Sequence, residues 1–515
     1  MIEFATARSG DPIVRYDGRS LVSTVDPVRE AERFVNQDPP EGSTVIVIGA
    51  VHDYLDRALR ALCPRARVLR VHLHPATRTS SANDPDAWFP GHPQPLFAFL
   101  SARVSESEAL RVSVIEWKPA IGAFAAASRD ARTSVLEFLR QNQASFITIG
   151  AQGSVWLRNL VCNYPTITPA RISRPPGHRY AAALVVASGP SLERSIAAID
   201  SVRPDVFVLA TGSSTEFLLS NGISPDMVIV TDSSPFASEQ LRGIIDDSAV
   251  PIAAPLTACR ALTDAAHVVP FIQDQFLEPD LLAVAQDDPT TVASHGTVTA
   301  SAIALLRTID SWPILIAGLD CAWFAGRSHA RPHIAEHYRD IAADRFAPAA
   351  TSGFAATIEH TTVGSGWTQD RSLGTYAQWF ARGAASLAPL RAIEPSPALG
   401  TIPVWDRSAH IGDRAYRDIE VVPVIWPSAT DRRALVRGKL NEIVKATEDA
   451  LLRAPVSSRP TGAEPTALPA PVLETARRIA VSQLLRYERD PSPTNRRELG
   501  DAMVARLDAL RGHVR

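Results

Sequence analysis

The stretch Leu184-Val185-Val186-Ala187-Ser188-Gly189-Pro190-Ser191-Leu192-Glu193 constrains the fold of this chain most. An apolar run stops abruptly in Ser-Gly-Pro-Ser and becomes amphipathic. That pattern predicts a buried strand, a tight turn and a helix. The first turn of such a helix offers unsatisfied amides and the positive end of the helix dipole, a setting that attracts phosphate. Gly189 allows close approach of the backbone, Pro190 stiffens the helix start, and Ser191 either caps the helix or touches the anion.

Similar elements flank this one. Thr44–Gly49, Val68–Leu73 and Val112–Trp117 are expected strands, with Phe146–Ile149 as a fourth, and a helix is expected over Tyr54–Leu62. The Gly49-Ala50-Val51-His52 turn lacks the later glycines of a dinucleotide fingerprint, so it reads as a structural turn. Asp84–Pro93 reads as a surface loop. Beyond Arg174-Pro175-Pro176-Gly177-His178, strands are expected at Ala183–Ala187, Val206–Ala210, Met227–Thr231, Pro251–Ala254, His267–Pro270 and Pro313–Ala317. Helices are expected at Leu192–Ile199, Thr215–Ser220 and Thr297–Thr308. Strands alternating with helices make a parallel α/β sheet. Asp431–Leu452, 472–488 and 494–512 read as helices. The segment 454–471 is a Pro/Ala-rich flexible loop. The expected plan is thus α/β: Rossmann-like parallel-sheet domains over 1–174 and 175–427, and a C-terminal helical bundle over 428–515.

With 52 basic and 55 acidic residues, the chain offers no electrostatic footprint for nucleic acid. No run of about 18 apolar residues is present, so no membrane span is expected. The four cysteines (Cys63, Cys162, Cys259 and Cys321) have no CxxC spacing. With no secretory signal visible, they suggest a reduced, cytoplasmic protein.

Polar residues gather after the carboxyl ends of the central strands, the edge where open parallel sheets bind ligands. Besides Ser188, Gly189, Pro190 and Ser191 these are Thr211-Gly212-Ser213-Ser214, Asp232-Ser233-Ser234, Ser294-His295-Gly296-Thr297 and Gly318-Leu319-Asp320. Thr297 reads as a helix cap or an anion ligand. Asp232 can bind a ribose hydroxyl, a metal or an acceptor. Ser328-His329-Ala330-Arg331-Pro332-His333 follows, with His337 four residues later. His333 and His337 lack the Glu of a zinc motif, so no metal site is expected. Imidazoles titrating near neutral pH suit a general base or a partner of a leaving phosphate.

Ser-Gly-Pro-Ser-Leu, the Asn-Gly-Ile-x-Pro-Asp turn before a strand ending in Thr-Asp, the Gly-Thr-Val-Thr helix start, and Ala-Gly-Leu-Asp before Ser-His-Ala follow one another in order. That series resembles the motility-associated factor (Maf) glycosyltransferases over about residues 180–410. Their central domain is shared with archaeal hydroxymethyldihydropterin pyrophosphokinases and is similar to bacterial CMP-sialic acid transferases. The resemblance implies cytoplasmic, metal-independent transfer of a nonulosonic sugar (sialic, pseudaminic or legionaminic type) from a CMP-sugar to Ser/Thr of flagellin, with no tightly bound cofactor. It implies that Ser188–Ser191, Thr211–Ser213, Gly296, Thr297 and Asp320 hold the donor. The amides of Gly189, Ser191 and Leu192 and of Gly296–Val298 would face its phosphate. His329 is the first choice of base, then Asp232 and His360. Cys321-Ala322-Trp323 replaces the sialyltransferase tyrosine after Gly-x-Asp, which hands phosphate stabilisation to His329 or Arg327. Two other functions remain: an ATP- and Mg-dependent pterin pyrophosphokinase, with Asp232 and Asp320 on the metal, and a non-catalytic flagellin-binding factor.

Overall fold

The computed structural model describes the chain apart from residues 38–43, 65, 79–83, 105, 110–111, 176–178, 248, 274–275, 286–287, 295, 310–312, 384–389, 397–401, 407–417, 454–467, 491 and 515. The Pro-rich segment up to 467 and His295 therefore lie outside the described residues. The chain forms two compact units, one built on residues 1–151 with 456–468 and the other on residues 152–455 with 469–515, which include the C-terminal helices.

The first unit holds a four-stranded parallel sheet in the order Ala87–Trp88, Arg67–Val71, Thr44–Ile48, Val112–Glu116. An antiparallel meander of Ile2–Thr6, Pro12–Tyr16 and Arg19–Ser20 precedes it. The loop expected at Asp84–Pro93 contains the short edge strand Ala87–Trp88. Phe146–Ile149 is not a strand but part of the helix Ala125–Thr166. Its locally β-prone letters are overruled by longer periodicity: Ala131, Val135 and Phe138 are buried at helical spacing, and Phe146 continues that face.

The second unit is built on a seven-stranded parallel sheet ordered Val268–Pro270, Ile252–Ala254, Met227–Ile229, Val206–Thr211, Ala182–Val186, Ile314–Ala317, Leu390–Ala392. Ala182–Val186 is wholly buried, as its uninterrupted apolar run requires in a parallel sheet covered on both faces. Ala183 and Val185 share a core with Ala302, Leu305 and Leu306 of the helix Val298–Ile309. The strand order reverses between Ala182–Val186 and Ile314–Ala317, and that switch point sets where a ligand crevice opens. The C-terminal helices Ala429–Thr447, Ala470–Ile479, Val481–Arg489 and Pro493–Gly512 bury Val436, Leu440, Val472, Leu499, Met503 and Leu507.

Candidate functional site

The Ser188–Ser191 turn sits at the switch point, and its amides are already used. Gly189 N–H donates to Gly318 O at 2.7 Å, and Leu192 N–H to Gly189 O at 3.0 Å. Ser191 N–H donates to Asp320 Oδ2 at 2.7 Å. A phosphate cradle made of these three amides is therefore ruled out by the local packing. Ser191 makes no side-chain cap either. The two glycines are required for this close approach. A Cβ on Gly189 would lie 2.5 Å from both Asp320 Oδ2 and Gly318 O, and one on Gly318, at φ +69°, would collide with Ala187 O.

Asp320 is thus a lock beneath the turn, not an exposed ligand: it is 1% exposed, and among the described residues its Oδ1 has no hydrogen-bond partner. Burial pushes its carboxyl up, against the opposing pull of the Ser191 amide and hydroxyl and of Arg194.

On the other side of the Ala182–Val186 strand the polar groups are presented differently. Ser213 Oγ donates to Ser188 Oγ at 2.8 Å, and Thr211 Oγ1 lies 3.2 Å from Ser213 Oγ. Gly212 opens the short turn that carries Ser213. Ala330 N–H donates to Ser188 O at 2.8 Å, which brings the histidine loop onto this hydroxyl row. The loop is pinned from beneath by Glu193, which accepts from Arg327 Nη1 at 2.6 Å and Arg331 N–H at 3.0 Å. Burial raises the Glu193 pKa, but these contacts outweigh it and hold the carboxylate below its usual range. Sequence reasoning missed Glu193 because its partners lie more than 130 residues away.

Within that loop, His329 and His333 stack with centroids 3.9 Å apart and planes 3° from parallel. His333 Nδ1 accepts from Ala335 N–H and caps the helix Ile334–Ala342, so one ring nitrogen serves the fold. Ser328 Oγ is 2.8 Å from His329 Nδ1. Burial, reinforced by Arg339, pushes His329 down to about 4. Burial, then His329 and Arg339, push His333 down to about 3. Both rings are neutral at pH 7.

Asp232 is exposed at the end of Met227–Ile229, and its two oxygens accept from the Ser234 amide and hydroxyl, each at 2.9 Å. Ser234 caps the helix Pro235–Gln240, whose Phe236 ring is 6.1 Å from His333. Asn159 and Asn163, both fully buried, hold the neighbouring strand-end loops from behind. Asn159 donates to Ser233 O, and Asn163 to Leu256 O and Ala258 O.

Three expected members, His360, Thr297 and Gly296, are carried by other elements. His360 packs on Trp323 at 5.3 Å and lies 3.4 Å from Thr368 Oγ1, in the small sheet of Trp323–Phe324, Trp367–Gln369 and Thr361–Gly364. Thr297 Oγ1 accepts from Ala300 N–H at 3.1 Å and so caps its helix, while Gly296 lies against Tyr376. Among the described residues the amides of Gly296, Thr297 and Val298 have no acceptor in the chain. The helix precedes the strand Ile314–Ala317 in a parallel crossover, so its N-terminus points to the same carboxyl edge as Ser188 and Ser213.

These features define a doubly wound α/β protein whose sheet carries hydroxyls, imidazoles and helix amides along the carboxyl edge where such folds bind ligands. Residues 156–326 match the family model of 6-hydroxymethylpterin diphosphokinase MptE-like proteins. The fold is shared with the MAf glycosyltransferase from Magnetospirillum magneticum AMB-1, at a TM-score of 0.55 and 12% identity over 99% of this chain and 87% of that one. Two uncharacterized proteins of Treponema pallidum (strain Nichols) are 26% and 30% identical to it, over 60% and 30% of this chain. The matched regions span 64% and 37% of those relatives. No helix among the described residues is long and apolar enough to cross a membrane.

Proposed function

We propose that this chain is a cytoplasmic glycosyltransferase that moves a nonulosonic sugar from a CMP-sugar to Ser/Thr hydroxyls of flagellin. The observation that carries this reading is the likeness of fold, over nearly the whole chain, to a Maf glycosyltransferase. The chemistry of the edge agrees with it. The bond between the anomeric carbon and the CMP phosphate breaks, and the phosphate keeps the electron pair. Donors must therefore surround the phosphate. Ser188, Ser213, the His329 ring and the amides of Gly296–Val298 supply them, in place of the occupied Gly189, Ser191 and Leu192 amides.

The acceptor hydroxyl attacks the anomeric carbon and gives up its proton. An imidazole held at about 4 has little driving force as a base at neutral pH, whereas a phosphate beside it would raise its affinity for a proton. His329 is accordingly assigned to the phosphate, and exposed Asp232 takes the acceptor's proton.

The family match over residues 156–326 favours a second reading, pterin diphosphorylation with ATP and Mg²⁺. Its metal would need Asp232 and Asp320 together, yet Asp320 is buried against the Ser191 amide. Incubation with CMP-nonulosonic acids and a chelator separates the two readings. Chelator-resistant CMP release is expected; ATP-dependent pterin diphosphorylation without any CMP release would overturn the proposal.

A further inference from the structure

An enzyme that modifies a protein hydroxyl must hold a polypeptide beside the group that takes the proton. One helical hairpin near Asp232 has the surface for it. The helix Ile334–Ala342 starts at His333 and carries Ile334, Tyr338 and Ile341 at the i, i+4, i+7 spacing of a core-facing stripe. Yet none of its residues is buried. Tyr338 and Ile341 face solvent, Ile341 at 68% exposure. The chain that follows, with the helix Ala349–Ala355, adds Phe354 and, at 82% and 80% exposure, Phe346 and Ile358. Scattered apolar residues on a surface are ordinary, but this concentration in one hairpin marks an interaction surface.

The hairpin is a fixed platform. Arg339 Nη1 donates to Gly326 O at 3.3 Å, and Arg339 Nη2 to Glu336 Oε1 at 2.7 Å. Gly353 of the second helix packs so closely on the same Gly326 that a Cβ there would lie 2.7 Å from its carbonyl oxygen.

Position and charge identify the occupant. Phe236 lies 6.1 Å from His333 and 6.3 Å from Tyr338, ring to ring. Its helix is capped by Ser234, whose amide and hydroxyl donate to Asp232. An apolar path therefore runs from the residue assigned to the acceptor's proton, over Phe236 and Tyr338, to the hairpin. A polypeptide that presents a serine or threonine to Asp232 lies across it. Within the hairpin Glu336 is paired with Arg339, which leaves exposed Asp340, Asp344 and Glu359 against Arg345 alone. Such a rim repels an anionic lipid surface or a second copy of itself, and suits a partner with Lys or Arg beside its apolar side chains.

We propose that the exposed apolar face of residues 334–358 docks the acceptor protein through apolar residues flanked by Lys or Arg. That the acceptor is flagellin rests on the sugar-transfer reading. Biolayer interferometry of the full chain against purified flagellin tests the dock, with CMP affinity and CMP release from CMP-nonulosonic acids measured on the same samples. Flagellin affinity should fall roughly tenfold in Ile341→Ser, in Phe346→Ser and in Asp340→Lys, with CMP affinity unchanged. Ile425→Ser, a fully exposed change off the hairpin in the same unit, should leave flagellin affinity as it is. No flagellin binding by the unaltered chain, indifference to the hairpin variants, or an equal loss in Ile425→Ser would overturn the dock. So would self-association, or binding to anionic vesicles, that Ile341→Ser and Phe346→Ser abolish while flagellin affinity stays the same. CMP release with flagellin affinity indifferent to these variants overturns the dock alone. Variant-sensitive flagellin binding without CMP release overturns the transfer reading alone.

Discussion

The carboxylate of Asp320 lies 2.7 Å from the backbone nitrogen of Ser191, where a generic phosphate loop would leave an amide open. The contact joins the ends of the two strands flanking the switch point. It turns the Ser-Gly-Pro-Ser segment from an anion cradle into a braced wall. In the proposed transfer, ligand recognition therefore falls to the hydroxyls and imidazoles beside it.

Truncating Asp320 strands a buried amide. Asp320→Ala should cost about 1–3 kcal/mol in urea unfolding. Because burial raises this carboxyl above its ordinary 3.8, the folded state keeps a proton that the unfolded chain releases. Its contribution is full below 3.8 and is lost as pH rises through the raised value. Asp320→Asn is uncharged throughout and keeps an oxygen for Ser191, so it should flatten that decline. An unchanged pH profile would contradict the assignment.

Gly318→Ala should destabilise by roughly 3 kcal/mol, since the new Cβ meets Ala187 O and the backbone is left-handed. Gly222→Ala has the same sign of φ but open surroundings, so it should cost only about 1–2 kcal/mol. Comparing the two urea midpoints separates collision from backbone strain.

The histidine pair predicts an acid limb. Both rings titrate well below 6.5, so the unfolded chain binds protons that the folded one refuses. Stability should fall as pH drops from 6.5 toward about 4, and His329→Gln should flatten the limb. Urea midpoints measured across that window read the effect directly. The same slope in the variant would mean that His329 is not buried as described.

Ser213→Ala removes one hydroxyl from the row with Ser188 and Thr211 while leaving the backbone unchanged. Its unfolding midpoint should move by less than about 1 kcal/mol, and CMP binding should weaken by roughly tenfold. A stability loss with unaltered CMP affinity would make the row a turn-stabilising device only.

Much of this architecture was legible in the residues themselves. Buried parallel strands such as Ala182–Val186 and Ile314–Ala317 are continuous apolar runs closed by small polar turns, a pattern with few other solutions. Leu390–Ala392 escaped because it is three residues long with an arginine at its centre. Phe146–Ile149 misled because four residues cannot reveal a helical period that spans the longer stretch around them. At the site, the residue types were visible but their pairings were not. That Asp320 faces Ser191 and that Ser188 O receives Ala330 N–H are contacts across 129 and 142 residues, set by strand order alone.

Intact-mass analysis of flagellin incubated with the full chain and CMP-nonulosonic acids tests the central claim most directly. The account predicts a flagellin mass gain of whole nonulosonate residues, with one CMP released per residue added. Unchanged flagellin mass with every such donor, alongside donors that remain intact, would contradict it.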